Sequence, residues 1–136
     1  MQINGMYNFL IKDQFSDERI LECLKAFFIG QNISIASFDH DMDQPEDLLF
    51  ESILMRGDFC IQLWLYAKLN ANVIYRPKEM ASHICCFLKT EILISEKSIN
   101  PFEWILITAN GDERIVYQKI EDNDEDVFLL DNKGRR

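Results

Sequence analysis

The chain is poor in glycine and proline and has no long apolar run. Five Gly and three Pro in 136 residues are too few for a disordered or repetitive chain. The longest apolar run, 59–67, is interrupted by Gln62 and is much shorter than the roughly 20 residues that a membrane-spanning helix needs. The apolar content of 48% and the length predict one globular domain over residues 1–136, without a membrane span.

The cysteines lack the spacing of a metal site. Cys23, Cys60, Cys85 and Cys86 contain no C-x-x-C pair, which argues against structural zinc. The first residues have neither the basic region nor the apolar core of a secretory signal, so free thiols are favoured over disulfides. We therefore expect a reduced, cytoplasmic protein that binds no metal or other cofactor.

Catalytic motifs are also missing. The sequence has no G-x-S-x-G elbow, P-loop, dinucleotide fingerprint or H-E-x-x-H. His40 stands between Asp39 and Asp41, and His83 stands three residues before Cys86; such pairs can transfer a proton or activate a thiol. Spacing of this kind also arises by chance in most helices. We expect no enzymatic activity, with a small enzyme that uses His40 or His83 kept as an alternative.

Two segments have the apolar spacing of amphipathic helices. Ser16 offers an N-cap, and the apolar residues that follow recur at helical spacing until Gly30. Pro77 suits the first turn of a second helix, whose inner face runs from Met80 to Leu88. Both helices therefore have one apolar face that must pack on another layer of the protein.

The remaining patterns predict strands. Asn110-Gly111 is the strongest hairpin signal in the chain, and we interpret the last third as a β-meander. The order of elements predicts an α+β domain: a mostly antiparallel sheet with two helices packed on one face. Strands are expected at 7–12, 33–38, 91–95, 104–109, 114–120 and 126–130, with a long hairpin over 48–69 that turns at 56–58.

The strand around Trp64 carries large side chains on both faces. Trp64 and Tyr66 share one face with Gln62, a mixture that resembles interface composition. Large aromatic side chains are nevertheless buried on average. We therefore expect Trp64 to pack in the core.

Acidic residues outnumber basic ones and are concentrated in two stretches. The chain carries 23 Asp and Glu against 14 Lys and Arg, a net charge of −9. No Lys or Arg lies between Lys25 and Arg56, so the stretch 39–47 has no local counter-charge. Clustered like charges are expected to face solvent, a cation or a basic partner. Phosphates would be repelled, so we expect no binding to nucleic acid or to an anionic membrane.

Both acidic stretches contain D-x-D-x-D, which suggests a calcium loop. An EF-hand requires Gly at its sixth position and Glu at its twelfth. Counting from Asp39 these positions hold Gln44 and Phe50, and counting from Asp122 they hold Val127 and Lys133. We therefore expect neither stretch to be a high-affinity calcium site.

The chain resembles the immunity proteins of contact-dependent growth inhibition and other polymorphic toxin systems. The resemblance is carried by the acidic stretches 39–47 and 121–126, with the strand, N-P-F-E-W turn and N-G hairpin of 92–117. Such proteins are small, acidic, cytoplasmic α+β domains that neutralise a cognate toxin by binding it. Since many of these toxins are basic nucleases, the resemblance implies a protein partner that is a basic toxin domain.

The resemblance also implies where that partner binds. We favour the stretch 39–47 for the interface. An acidic secretion-type chaperone for an effector protein is the alternative function, and the oligomeric state is left open. The expected partner-binding residues are Asp39, Asp41, Asp43, Glu46, Asp47, Glu121, Asp122, Asp124 and Asp126.

Overall fold

The computed structural model describes residues 3–69, 71–95, 100–119 and 127–131. Within these residues the chain forms two helices and nine strands. The elements are β1 (Ile3–Ile11), α1 (Asp17–Phe27), β2 (Ile35–Ser37), β3 (Leu48–Leu54), β4 (Arg56–Gly57), β5 (Ile61–Lys68), α2 (Pro77–Leu88), β6 (Ile92–Ser95), β7 (Glu103–Ile107), β8 (Glu113–Tyr117) and β9 (Val127–Phe128).

Both helices begin where the sequence predicts. The Ser16 hydroxyl accepts a hydrogen bond from the Arg19 backbone N–H at 3.2 Å, which caps α1. Gly30 adopts a left-handed φ of 83° in the turn after α1, a conformation that costs glycine little. Pro77 occupies the first turn of α2, where its missing N–H leaves no donor unsatisfied.

The strands of the large sheet follow the order β2-β3-β5-β1-β6-β7-β8. Every neighbouring pair is antiparallel except β2 and β3, which run parallel. The helices contribute to a single apolar cluster on one face of this sheet. The predicted fold class, α+β with a mostly antiparallel sheet and two helices on one face, is therefore confirmed.

Alternation along the strands decides which residues meet the helices. In β1 and β5 every second side chain packs against α1 and α2, and the intervening ones point to the opposite face. Burying this apolar layer is the main stabilising contribution to the fold. The cluster includes Phe9 and Ile11 of β1, Leu63 and Leu65 of β5, Ile92 and Ile94 of β6, Ile20 and Leu24 of α1, and Ile84 and Leu88 of α2.

The opposite face of the sheet has its own smaller apolar cluster. Leu10, Leu93 and Leu106 project from β1, β6 and β7 and are covered by Phe59 and Phe128. The rings of Phe59 and Phe128 meet edge to face at 5.7 Å. A segment from late in the chain therefore covers part of this face, which carries no helix within the described residues and is called the helix-free face below.

The expected strand at 126–130 is shorter and lies in a different place. Val127–Phe128 pairs in parallel with β4, in a separate two-stranded sheet, instead of extending the meander. Leu130 forms an isolated antiparallel bridge with Gln118 at the end of the meander, and the Lys119 N–H donates to the Leu129 carbonyl at 2.7 Å. In this position Phe128 is buried in the second apolar cluster, which stabilises the arrangement. Among the helices of the described residues, none is both long and apolar enough to cross a membrane.

The contact between β4 and β9 predicts a steric requirement at Gly57. Gly57 has φ 109°, and a Cβ there would overlap the Phe128 carbonyl. Gly111 also has a left-handed φ of 87°, but a Cβ there meets nothing within 4 Å. We expect Gly111→Ala to cost about 1 kcal/mol of unfolding free energy through backbone strain alone, and Gly57→Ala to cost about 2 kcal/mol or more. Urea unfolding measures both; equal losses would contradict the close approach of β4 and β9.

Candidate functional site

The acidic stretch between β2 and β3 forms a crossover loop on the helix-free face. Because β2 and β3 are parallel neighbours, the chain must pass over one face of the sheet to connect them. The Phe38 ring lies 5.2 Å from the Tyr66 ring, and His40 Nε2 lies 2.7 Å from Glu51 Oε2. Tyr66 and Glu51 both project away from the helices. The acidic loop, residues 38–47, therefore lies on the helix-free face.

Hydrogen bonds within the acidic loop fix its shape. Gln44 Nε2 donates to the Ser37 carbonyl at 2.8 Å, and Gln44 Oε1 accepts from the Asp39 N–H at 2.8 Å. The Asp39 carboxylate accepts from the Asp41 N–H at 2.9 Å, an Asx turn. At the other end, Asp47 Oδ2 accepts from the Ser34 N–H at 3.0 Å. The loop is therefore held in one conformation by its own polar groups.

These bonds divide the predicted acids of the loop into two kinds. Asp47 is half-buried and accepts from both the backbone and the hydroxyl of Ser34, so its carboxylate stabilises the loop. Glu46 is half-buried as well. Asp39, Asp41 and Asp43 are exposed. These three present the negative charge of the loop to solvent.

The second predicted stretch was also expected to bind a partner. Glu121, Asp122, Asp124 and Asp126 lie outside the described residues. Their role in partner binding stays a prediction.

Glu51 links the acidic loop to the sheet. Its carboxylate accepts a 2.8 Å hydrogen bond from the Tyr66 hydroxyl and contacts His40 Nε2 at 2.7 Å. Burial alone would raise the pKa of Glu51, but the hydrogen bonds from His40 and Tyr66 and the charge of His40 lower it overall. Burial, followed by the bond to Glu51 and its negative charge, raises the pKa of Tyr66. The sequence placed His40 beside Asp39 and Asp41, and no local signal indicates its contact with Glu51.

Four rings form a continuous row across this face. The centroids of His40 and Phe38 lie 4.4 Å apart, those of Phe38 and Tyr66 5.2 Å, and those of Tyr66 and Trp64 6.2 Å. Trp64 and Tyr66 stack with only 2° between their ring planes. We call these four residues the aromatic row. It connects the acidic loop to the middle of β5.

Trp64 is the residue whose placement differs most from the sequence prediction. It was expected in the core, yet it is half-buried on the helix-free face, at the end of the aromatic row. The apolar cluster that packs against the helices takes Leu63 and Leu65 from the same strand. Because β5 carries large side chains on both faces, its alternation is equally compatible with either orientation.

His83 and Cys86 serve separate structural contacts. His83 Nε2 donates to the Cys23 carbonyl at 2.7 Å, and its ring meets Phe27 at 5.3 Å. The Cys86 thiol donates instead to the Ala109 carbonyl at 3.4 Å. The contacts of His83 therefore join α2 to α1, whereas Cys86 contacts the loop that follows β7.

The four cysteines are free thiols with different environments. Cys23 and Cys85 are buried, and burial raises the pKa of each to about 12. Cys60 is half-buried and Cys86 is exposed. No cluster of three His, Cys, Asp or Glu side chains suitable for a metal ion occurs in the part of the chain that the structure describes.

These environments predict the order in which the thiols react. Cys86 should react rapidly with a disulfide reagent in the native protein, whereas Cys23 and Cys85 should react only on unfolding, because thiolates are the reactive form. Cys86→Ser should remove the fast phase. Titration of the denatured, non-reduced protein should report all four thiols. A count of two or none would overturn the prediction of a reduced protein.

The lowered pKa of Glu51 predicts a pH-dependent contribution to stability. A carboxyl whose pKa is lower in the folded state stabilises the protein above its unfolded pKa of about 4.3 and loses this contribution as pH falls through the folded pKa. We expect Glu51→Gln to lower the unfolding free energy by about 1 kcal/mol at pH 7, from the weakened charged hydrogen bonds, and by much less near pH 3.

Chemical unfolding at several pH values measures this effect. Glu22→Gln is the control, because Glu22 is an exposed partner of Arg19 on α1 and its substitution should cost under about 0.5 kcal/mol. An unchanged loss in Glu51→Gln between pH 7 and pH 3 would contradict the assignment.

The chain was compared with protein-family models, with curated proteins and with solved structures. None of the three comparisons finds a match.

Proposed function

We propose that the protein neutralises a cognate toxin domain in the cytoplasm by binding it directly, without catalysis of its own. The observation that carries this proposal is the acidic loop on the helix-free face. Its exposed carboxylates at Asp39, Asp41 and Asp43 lie beside the aromatic row. Acidic groups next to a partly exposed aromatic surface suit a basic protein partner.

The rigidity of the loop supports a role in binding. A flexible loop loses conformational entropy when a partner orders it. Here the bonds of Gln44 and Asp47 already fix the backbone between Ser34 and Leu48. The loop can therefore present its carboxylates at little entropic cost.

The charge supports a basic partner. A net charge of −9 steers a positively charged protein toward this surface and speeds encounter at low salt. Exposed carboxylates can also occupy the positions that phosphates take in the site of a nuclease. A basic nuclease domain is therefore the partner we propose.

The two histidines make contacts that join separate elements of the fold. His40 is paired with Glu51, and His83 donates to the Cys23 carbonyl. The free, partly buried thiols are consistent with action in a reducing compartment.

A protection assay tests the proposal. The C-terminal domain encoded by the gene immediately upstream is expressed alone and together with this chain, and cell growth is followed. We expect growth arrest with the domain alone and growth with both. Calorimetry on the purified pair then shows whether protection results from direct binding.

The acidic loop should control the rate of association. Replacing Asp39, Asp41 and Asp43 by Asn removes three exposed charges while keeping size and hydrogen-bonding capacity. We expect association with the toxin domain to slow about tenfold or more at low salt, and the difference to shrink as salt rises. Stopped-flow mixing at several salt concentrations measures this.

A matched variant separates local from total charge. Replacing Glu22 on α1, Glu79 on α2 and Glu113 on β8 by Gln removes the same number of charges from other parts of the surface. Glu113 forms an ion pair with Lys78 of α2. This variant should associate nearly as fast as the wild type. If the Asn variant binds and protects as well as the wild type, the acidic loop serves solubility alone. A stable dimer that binds only unfolded segments would favour the chaperone alternative.

A further inference from the structure

We propose that the helix-free face around Trp64 is a guanidinium site that takes an arginine side chain from the basic partner. The identity of the partner rests on the proposed function, but the chemistry of the site rests on the side chains around Trp64. These are the stacked ring of Tyr66, the carboxylate of Glu51 and the amides of Asn8 and Gln62.

The register of the sheet brings these groups together. Asn8 and Glu51 lie directly opposite Trp64 on its two neighbouring strands. Gln62 lies two positions before Trp64 on β5, so it projects from the same face. Directly opposite residues have Cβ atoms about 5 Å apart. Asn8, Glu51 and Gln62, whose side chains all carry hydrogen-bond acceptors, are therefore neighbours of Trp64 on this face.

The amides are free to accept hydrogen bonds. Within the residues that the structure describes, the side chains of Asn8 and Gln62 have no hydrogen-bond partner, although both are half-buried. Tyr66 and Glu51, by contrast, are bonded to each other. Uncommitted amides beside an aromatic ring favour a ligand that donates several hydrogen bonds.

The aromatic row ends at Trp64. Tyr66 is flanked by Phe38 on one side and by Trp64 on the other. In the described part of the chain, Tyr66 is the one aromatic neighbour of Trp64. Trp64 is therefore the last ring of the row, and the register places Gln62 beyond it on the same face of β5. Ile53, opposite Gln62, is 40% exposed and extends this surface.

A guanidinium matches this arrangement better than an ammonium does. It is planar, weakly hydrated and stacks on aromatic faces, and it carries five N–H donors in one plane. The exposed carboxylates of the nearby acidic loop complement a cation, whereas the Glu51 carboxylate already contacts His40 and Tyr66. An anionic or apolar ligand would use none of these carboxylates.

Peptide binding tests the site without knowledge of the partner. Hexa-arginine and hexa-lysine peptides carry equal charge, and each is titrated into the full chain at physiological salt. We expect hexa-arginine to bind about tenfold more tightly, from cation–π contact and additional hydrogen bonds. It should also shift the indole N–H resonance of Trp64.

Trp104 provides an internal control. Its Nε1 donates to Gln118 Oε1 at 3.2 Å and its ring packs on Phe128 at 5.5 Å, so its resonance should stay in place. Trp64→Phe and Trp104→Phe assign the two signals. Trp64→Phe should keep part of the arginine preference because it retains a ring face, whereas Trp64→Leu should abolish it.

A second variant tests the site without substituting Trp64, so it does not depend on whether the Trp64 variants fold. Asn8→Ala with Gln62→Ala should reduce the preference for arginine over lysine while leaving the aromatic row intact. The Asn variant of the acidic loop should instead weaken both peptides equally. Equal binding of the peptides by the wild type, an unmoved Trp64 signal, or binding of neither peptide would overturn the guanidinium site. The protection assay tests the proposed function separately, since the acidic loop can bind a toxin without arginine stacking at Trp64.

Discussion

Within the described residues, two helices pack on one face of a seven-stranded sheet. The opposite face must therefore be covered by other segments, and this constraint shapes the rest of the structure. Strands about 4.8 Å apart give a sheet about 29 Å wide, whereas two adjacent helices cover about 20 Å of one face. Since both helices pack on one face, the helix-free face is covered by loops and short segments. The acidic loop lies over β3 and β5 at one end, and residues 127–131 lie over β1, β6 and β7 at the other. The strip between them contains Trp64, and this is why a large aromatic residue remains half-buried there.

Features set by local chemistry were predictable from the sequence. The Ser16 cap, Pro77 at the start of α2 and the Asn110-Gly111 hairpin depend on residues a few positions apart. Features that depend on contacts between residues far apart in the sequence were not predictable. The parallel pairing of β2 with β3 and the position of β9 depend on which apolar surfaces are buried together. A strand with large residues on both faces, such as that of Trp64, gives no periodic signal of its orientation.

The candidate site shows the same division. Clustered charge at 39–47 was visible in the sequence, and Asp39, Asp41 and Asp43 are indeed exposed. The stabilising role of Asp47 depends on its hydrogen bonds with Ser34, which lies outside the loop, just before β2. The contact between His40 and Glu51 depends on the crossover of the loop onto the helix-free face. Sequence reasoning can therefore find the acidic residues, but only the fold shows which of them are exposed and which are half-buried.

The pairing of β4 with β9 also has a consequence for how the protein is synthesised. Residues 127–131 pack against Leu10, Leu93 and Leu106, and all of these leave the ribosome earlier. Domains begin to fold during synthesis, so a nascent chain that has reached β8 can assemble the sheet and its helices while these leucines are still uncovered. An apolar surface is then exposed to solvent and to ribosome-associated chaperones. This part of the helix-free face is covered only when Phe128 has been translated and has docked.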